Sequence, residues 1–139
     1  MQTIHVAAAI IYRDERILAA RRPDTPEAKG GWELPGGKVE QGETSEQALR
    51  REITEELLMS LTTMWPFDTV EHDYDSFHLS MDCFVCPVGP LQEPTLTEHA
   101  EARWLRRDEL LDVDWLAADK KVVTELGTYW DQFFAAEHL

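Results

Sequence analysis

Cysteine, basic charge, paired histidines and long apolar runs are all scarce in this chain of 139 residues, and each shortage removes a class of protein. Two cysteines cannot build a disulfide framework. Cys83 and Cys86 form one C-x-x-C in a β-branched and aromatic setting, where strand alternation sends the two thiols to opposite faces. They read as buried small apolar residues, with a redox pair as the alternative, and zinc would need two further ligands. Thirteen Lys and Arg stand against 27 Asp and Glu, for a net charge of −14. That balance excludes a general binder of nucleic acid or of membrane surfaces, since both present phosphate and call for clustered cations. The five histidines lie apart, with no H-x-H or H-x3-H pair to hold a metal. Residues 1–12, MQTIHVAAAIIY, have neither the basic start nor the cleavage site of a secretory signal, and the run is too short to span a bilayer. The expectation is a cytoplasmic protein. No repeat, low-complexity tract or Ser/Pro-rich linker divides the sequence, so residues 1–139 are expected to form one domain.

What is there begins with a hairpin. A strand from about Thr3 to Tyr12, the turn Arg13-Asp14-Glu15-Arg16 and a strand from Ile17 to Arg22 follow one another by their turn chemistry. Residues 23–31, PDTPEAKGG, read as a loop, and Trp32-Glu33-Leu34 as a short strand entering Pro35-Gly36-Gly37. Thr44 with Gln47 is a capping box, and Leu49, Ile53 and Leu57 give the helix behind it an apolar stripe, to about Leu58. Further strands are expected near Thr62–Glu71, His78–Val88 and Ala102–Leu105. The spacing of Val122, Val123, Leu126, Trp130, Phe133 and Phe134 predicts one helix from about Asp119 to Glu137. Strands and two major helices out of strict alternation make an α+β fold with a mixed sheet between helices.

The strongest chemical signal is acidic. On the first helix Glu52, Glu55 and Glu56 stand at i, i+3 and i+4 and share one side. Like charges placed so destabilise one another by roughly 0.2–0.5 kcal/mol per pair, which invites a compensating cation. Hard oxygen donors of this kind suit magnesium, which takes one or two carboxylates and leaves its other positions to water and substrate phosphates.

Together with the preceding loop, these residues resemble the signature box of the Nudix hydrolases, G-x5-E-x7-R-E-U-x-E-E-x-G-U with U aliphatic. Gly37, Glu43, Arg51, Glu52, Ile53, Glu55, Glu56 and Met59 fit it. Leu58 departs from it, standing where the family usually has glycine at the helix exit. The resemblance implies the Nudix α/β/α sandwich, a mixed β-sheet between helices. It also implies Mg2+ as cofactor, with Mn2+ as a substitute, held by Glu52, Glu55, Glu56 and the carbonyl of Gly37. Glu98 resembles the distant glutamate that MutT-like members use as metal ligand or base, and Glu52 is the competing base. Arg51 belongs with this catalytic group as a brace, paired with Glu43. Arg22 and Lys38 are expected to meet substrate phosphates, while Glu33 reads as structural. Asp119 resembles the residue that reads the base edge in MutT-like enzymes and CTP pyrophosphohydrolases, with helix capping as its alternative. Ile4, Val6 and Phe77 are expected either to wall the base or to pack in the core.

The implied activity is hydrolysis of a (deoxy)nucleoside triphosphate to the monophosphate and pyrophosphate, acting on damaged or non-standard nucleotides or on CTP-like pyrimidines. The expected partner is thus a small nucleotide rather than nucleic acid or membrane, and oligomeric state has no signature in the sequence. One alternative substrate is a dinucleoside, ADP-ribose or a sugar diphosphate. A catalytically silent nucleotide-binding module is the other alternative, and its mark would be a lost box acid. None is lost.

Overall fold

A computed structural model describes residues 1–26 and 29–134. Strand β1 (Gln2–Arg13) turns at Asp14 and Glu15, whose φ angles of 51° and 61° make the two-residue turn that suits a right-twisted hairpin, and returns as β2 (Arg16–Arg21). Short strands β3 (Trp32–Glu33) and β4 (Gly36–Lys38) lead to helix α1 (Ser45–Leu57). Then come β5 (Trp65–Asp73), β6 (Phe77–Pro87), β7 (Glu101–Arg106), a 3-10 turn at Arg107–Glu109, and helices α2 (Ala117–Thr128) and α3 (Trp130–Phe134).

One sheet runs through the centre in the order β3-β2-β1-β6-β5, with β4 also on β1 and β7 also on β2. β1 lies parallel to β6 along eleven registered pairs, from Gln2↔Phe77 to Tyr12↔Pro87. Its other edge is shared. At the hairpin end it pairs antiparallel with β2 through Tyr12↔Ile17 and Arg13↔Arg16. Beyond that the two strands part, and β4 enters against β1 as Ala8↔Gly36, Ala7↔Gly37 and Val6↔Lys38. Only glycine fits at Gly36, because a Cβ there would stand 2.0 Å from the Ala7 carbonyl oxygen. The splay of β1 from β2 is therefore filled by the glycine turn.

Alternation along β1 sorts the core into two layers. Ala7, Ala9 and Ile11 face α1 and pack with Leu49, Ile53, Leu57, Met59, Phe84 and Cys86. Ala8, Ile10 and Tyr12 face the other way, toward Cys83, Val85, Val122, Val123, Leu126, Trp130 and Phe134. The mixed sheet between helices is as expected, and so is the split of the two cysteines, both buried and unpaired. Burial pushes the Cys86 thiol up to about 12 and the Cys83 thiol further still, so neither is a ready nucleophile. Among the described residues no helix is long and apolar enough to cross a membrane.

Helix α1 starts where the capping box puts it. The Gln47 N–H donates to Thr44 Oγ1 at 3.1 Å and the Thr44 N–H to Gln47 Oε1 at 2.9 Å. Leu49, Ile53 and Leu57 are fully buried, each contributing roughly 1.5–3 kcal/mol of transfer free energy. The exit keeps the left-handed turn that glycine normally makes: Leu58 sits at φ 54°, ψ 38° with its side chain exposed.

Three expectations need correction. β4 was read as part of a glycine turn, since Gly-Gly-Lys has little strand propensity, and only its partner β1 makes it a strand. β5 starts at Trp65 rather than Thr62, because Arg50 holds the Leu61 and Thr62 carbonyls at the foot of α1. The single long C-terminal helix is two helices. It begins at Ala117, breaks at Tyr129 (φ −104°, ψ 16°) and resumes as α3, and the expected residues 135–137 lie outside the described residues. The break lets Trp130 and Phe134 turn onto Tyr12, which stacks on Phe134 at 3.9 Å and meets Trp130 edge-on at 6.2 Å. Aromatic pairs of this kind add about 0.5–1.5 kcal/mol each beyond their buried area, against a helix already weakened at Gly127.

A non-glycine residue in the left-handed region costs about 1–2 kcal/mol, part of which glycine returns through its freer unfolded chain. Leu58→Gly should therefore stabilise the protein by about 0.5–1 kcal/mol in urea denaturation. A lower midpoint at unchanged slope would show that the Leu58 side chain contributes more than its backbone costs.

Candidate active site

The site starts from the splay of β1 and β2. With Gly37 held on Ala7, a Cβ at position 37 would lie 2.3 Å from Cδ of Glu52, so the missing side chain lets a carboxylate rest against the peptide. Arg51, next to Glu52 on α1, fixes the loop between them. Its Nε and Nη2 donate to Glu43 Oε2 and Oε1 at 2.8 and 2.9 Å, a two-pronged bond, and Nη2 also reaches the Lys38 carbonyl at 3.1 Å. Nη1 donates to Glu52 Oε1 at 2.8 Å, and Glu55 stands 3.7 Å off. The Arg51 guanidinium and the Glu40 N–H together hold the Glu43 carboxyl down to about 2. Arg51 and Glu43 are thus the brace that was expected.

One turn along α1, Glu56 is buried, and its Oε2 has no hydrogen-bond partner. Burial raises its carboxyl well above the ordinary 4.5, and so, in decreasing order, do contact with Glu52 and repulsion from Glu52, Glu33 and Glu98. Four carboxylates therefore converge here, Glu55 being an exposed fifth on the rim. Glu98 lies in the loop before β7 with its own side chain exposed. Glu33, expected to be structural, belongs to this group. Its Oε2 accepts from Nε2 of His99 at 2.9 Å, and its Oε1 faces Nε of Arg22 at 3.9 Å. His99 is the residue that sequence reasoning missed, since a lone histidine beside a glutamate carries no spacing signal. Arg22 is half-exposed beside the acids, and Lys38 is exposed on β4.

No group of three or more His, Cys, Asp or Glu side chains among the described residues is already set to hold a metal ion. The donors nevertheless fit one. A buried carboxylate oxygen without a partner, beside a second carboxylate and repelled by two more, lacks only positive charge, and an all-oxygen set suits a hard divalent cation.

A second, apolar region borders the acids. Beyond the core on the α2 side of the sheet, Ile4, Val6 and Leu79 are half-buried and form a shelf with Phe77 and Tyr74, whose rings lie 5.1 Å apart. The Tyr74 hydroxyl accepts from the Ala118 N–H at 3.2 Å, which sets it over the first turn of α2. In that turn Asp119 is buried and accepts from the Leu34 N–H at 2.9 Å. Burial lifts its carboxyl to about 7, against the pull of the Leu34 bond. The capping alternative for Asp119 fails in its simple form, because the N-cap position is Leu116 and Asp119 lies inside the first turn. Tyr74 was also missed, its isolated position in a hairpin turn giving no hint of this contact.

A model of the NUDIX domain matches residues 6–125. The chain belongs to the NUDIX family. It is 40% identical over 83 residues to an 8-oxo-dGTP diphosphatase of Proteus vulgaris, covering 59% of this chain and 74% of that one. To the CTP pyrophosphohydrolase of Escherichia coli it is 52% identical over 62 residues, 45% of this chain and 46% of that one. The crystal structure of a MutT NUDIX hydrolase from Burkholderia pseudomallei superposes with a TM-score of 0.79 at 31% identity, covering 91% of this chain and 99% of that one. The NUDIX box thus runs in this chain from Gly37 on β4, paired with β1, to Met59 below α1, with Leu58 in place of the usual glycine and the turn preserved.

The raised Glu56 carboxyl has a direct consequence for stability. A group whose folded value lies above its unfolded one stabilises the fold fully below 4.5 and loses that contribution as pH climbs toward the folded value. In chelator, unfolding temperatures of wild type and Glu56→Gln followed from about pH 5 to about pH 9 should diverge in favour of the variant as pH rises. Added magnesium should restore wild type more than the variant. Parallel curves would mean that Glu56 titrates as an ordinary surface acid.

Proposed function

We propose that this NUDIX chain is a magnesium-dependent nucleoside triphosphate pyrophosphohydrolase, with Mn2+ as an alternative metal and the whole chain as one catalytic domain. Water is added across a phosphoanhydride bond, and the products are a nucleoside monophosphate and pyrophosphate. The observation that carries this reading is the adjacency of two residues. Glu33 points its carboxylate into the acidic group, while the N–H of Leu34, the next residue, holds Asp119 at the end of the apolar shelf. A polyphosphate pole and a base pole thus meet across one peptide bond.

In this reading Glu52, Glu55, Glu56, Glu98 and the Gly37 carbonyl hold the metal, which when bound supplies charge screening and Lewis acidity to phosphoryl transfer. Arg22 and Lys38 contact phosphate and offset the negative total locally. For proton abstraction the chain offers Glu52 and Glu98. Arg51 already occupies one oxygen of Glu52, whereas no hydrogen bond or ion pair among the described residues engages the Glu98 carboxylate. That contrast favours Glu98 as the group that takes a proton from water, in hydrogen-bond reach once substrate is bound.

The base is placed on the shelf of Ile4, Val6, Phe77 and Leu79, with its edge toward Asp119. Burial holds the Asp119 carboxyl up to about 7, and the group accepts when ionised, or donates and accepts when protonated, according to the edge presented. Damaged or non-standard nucleotides and CTP-like pyrimidines are the leading substrates, in line with the names of the relatives.

Pyrophosphate release over a panel of nucleotides, with and without magnesium, tests the activity. Glu56→Gln should lower kcat by at least ~10²-fold in a folded protein, since several kcal/mol of charge stabilisation depend on the site. Near wild-type turnover at saturating magnesium would sink the metal assignment. Asp119→Ala should lower kcat/KM for the best nucleotide by ~10-fold or more, the scale of one hydrogen bond to a charged group, and narrow the gap between bases. A variant that keeps its base ranking and merely melts earlier would make Asp119 a structural anchor for Leu34.

A further inference from the structure

The loop that carries Glu98 is fastened on both sides of that residue, by donors that all lie outside the NUDIX box. On one side it serves the end of α1. That helix has no basic residue in its last turn, and its final carbonyls need donors from elsewhere. The Thr95 N–H donates to the Leu57 carbonyl at 2.8 Å and the Thr97 N–H to that of Glu56 at 3.1 Å. The Thr97 hydroxyl adds a shared bond to the Glu55 and Glu56 carbonyls at 2.8 and 3.0 Å. On the other side, His99 Nε2 donates to Glu33 and the Ala100 N–H to the Arg21 carbonyl at 2.9 Å, which ties the loop to β2 and β3.

These contacts work against a force. Glu33, Glu52 and Glu98 all repel Glu56, so an exposed acid on a free loop would swing outward. The His99 ring is kept for its one bond at a visible cost. Its side chain is only 4% exposed and its Nδ1 is buried without a partner, a penalty that an apolar residue would avoid. Since an ionised carboxylate only accepts, Nε2 carries the proton of that bond and Nδ1 the unused lone pair.

We propose that Thr97 and His99 are positioning residues that clasp Glu98 from both sides, Thr97 through the backbone of the helix turn bearing Glu55 and Glu56, and His99 through the Glu33 carboxylate. The clasp rests on the reading of Glu98 given above. It makes Thr97 the reason that Glu98 keeps register with Glu56, because both are then referred to the same peptide groups.

A double-mutant cycle on the full-length protein separates the clasp from general stability. Thr97→Val and His99→Asn, each alone and each with Glu98→Gln, are assayed for kcat and KM with the best nucleotide at saturating magnesium. Both single variants should lower kcat by ~10-fold or more with little change in KM, as expected when an interaction realised only in the transition state is lost. Neither should lower it further once Glu98 is Gln. Thr97→Ser keeps the hydroxyl and His99→Gln keeps a donor near Nε2, so both should recover most of the activity. In metal-free protein, Thr97→Val should speed exchange of the Thr95 amide and of the amide at position 97 by ~10-fold or more while Leu49 and Ile53 in α1 stay protected. Losses that add in full to an impaired Glu98→Gln overturn the clasp and leave the role of Glu98 standing. A fully active Glu98→Gln overturns both. Where Thr97→Val fails to fold, the same cycle run with His99→Asn and His99→Gln decides between these outcomes.

Discussion

The guanidinium of Arg51 is the interaction on which the site depends. It makes the two-pronged bond to Glu43, a bond to Glu52 and a bond to the Lys38 carbonyl, so one cation ties the loop after β4 to the middle of α1. Without it, the glycine turn and the helix would be joined only by the chain between them, and Glu52 would be free to leave the Gly37 peptide. In a protein with 27 acids and 13 bases, spending a cation on internal bracing leaves few to meet a polyphosphate. Arg22 stands beside the acids and is already shared with Glu33. Attraction for a polyphosphate must then come largely from metal charge, which agrees with a buried carboxylate oxygen that has no partner of its own.

The acidic and apolar halves are held together by short strands rather than by large buried area. β3 contributes just two residues, yet it pairs with β2, meets Trp115 through an isolated bridge, and carries Glu33 toward His99. Leu34, immediately after it, anchors Asp119 and with it the first turn of α2. Tyr74 adds a second anchor from the β5–β6 hairpin to the same turn. The position of α2 is thus set from both sides of the sheet, and the residue proposed to read the base inherits that precision.

Much of this was legible in the sequence where it rested on local spacing. The capping box of α1, the Leu49-Ile53-Leu57 stripe and the opposed cysteines follow from helical or strand spacing and appear where spacing puts them, while the box was legible through its resemblance to the family. What escaped depends on partners far away in the chain. Gly36-Gly37-Lys38 becomes a strand only because β1 splays from β2. The C-terminal helix breaks because Tyr12, more than a hundred residues earlier, offers its ring to Trp130 and Phe134. His99 and Tyr74 are single residues with no repeat or motif around them, and the capping alternative for Asp119 stood open because the helix begins at Ala117, two residues sooner than its spacing indicated. The Leu58 departure was visible, but its harmlessness was not. The backbone keeps the glycine conformation and absorbs the strain.

The pairing of β4 with the middle of β1 sets how the site comes apart. Gly36 and Gly37 pair in register with Ala8 and Ala7, on the strand that also carries the parallel ladder to β6. Peripheral active-site loops open in small excursions that leave the rest of a protein intact. Here the peptide against which Glu52 rests is itself part of the central sheet, so the Gly37 side of the acidic group is fixed by strand pairing with β1. The half bearing Glu98 is held from a loop instead, by bonds to the end of α1, to β3 and to β2, so the two halves of the site are built on separate hydrogen-bond systems.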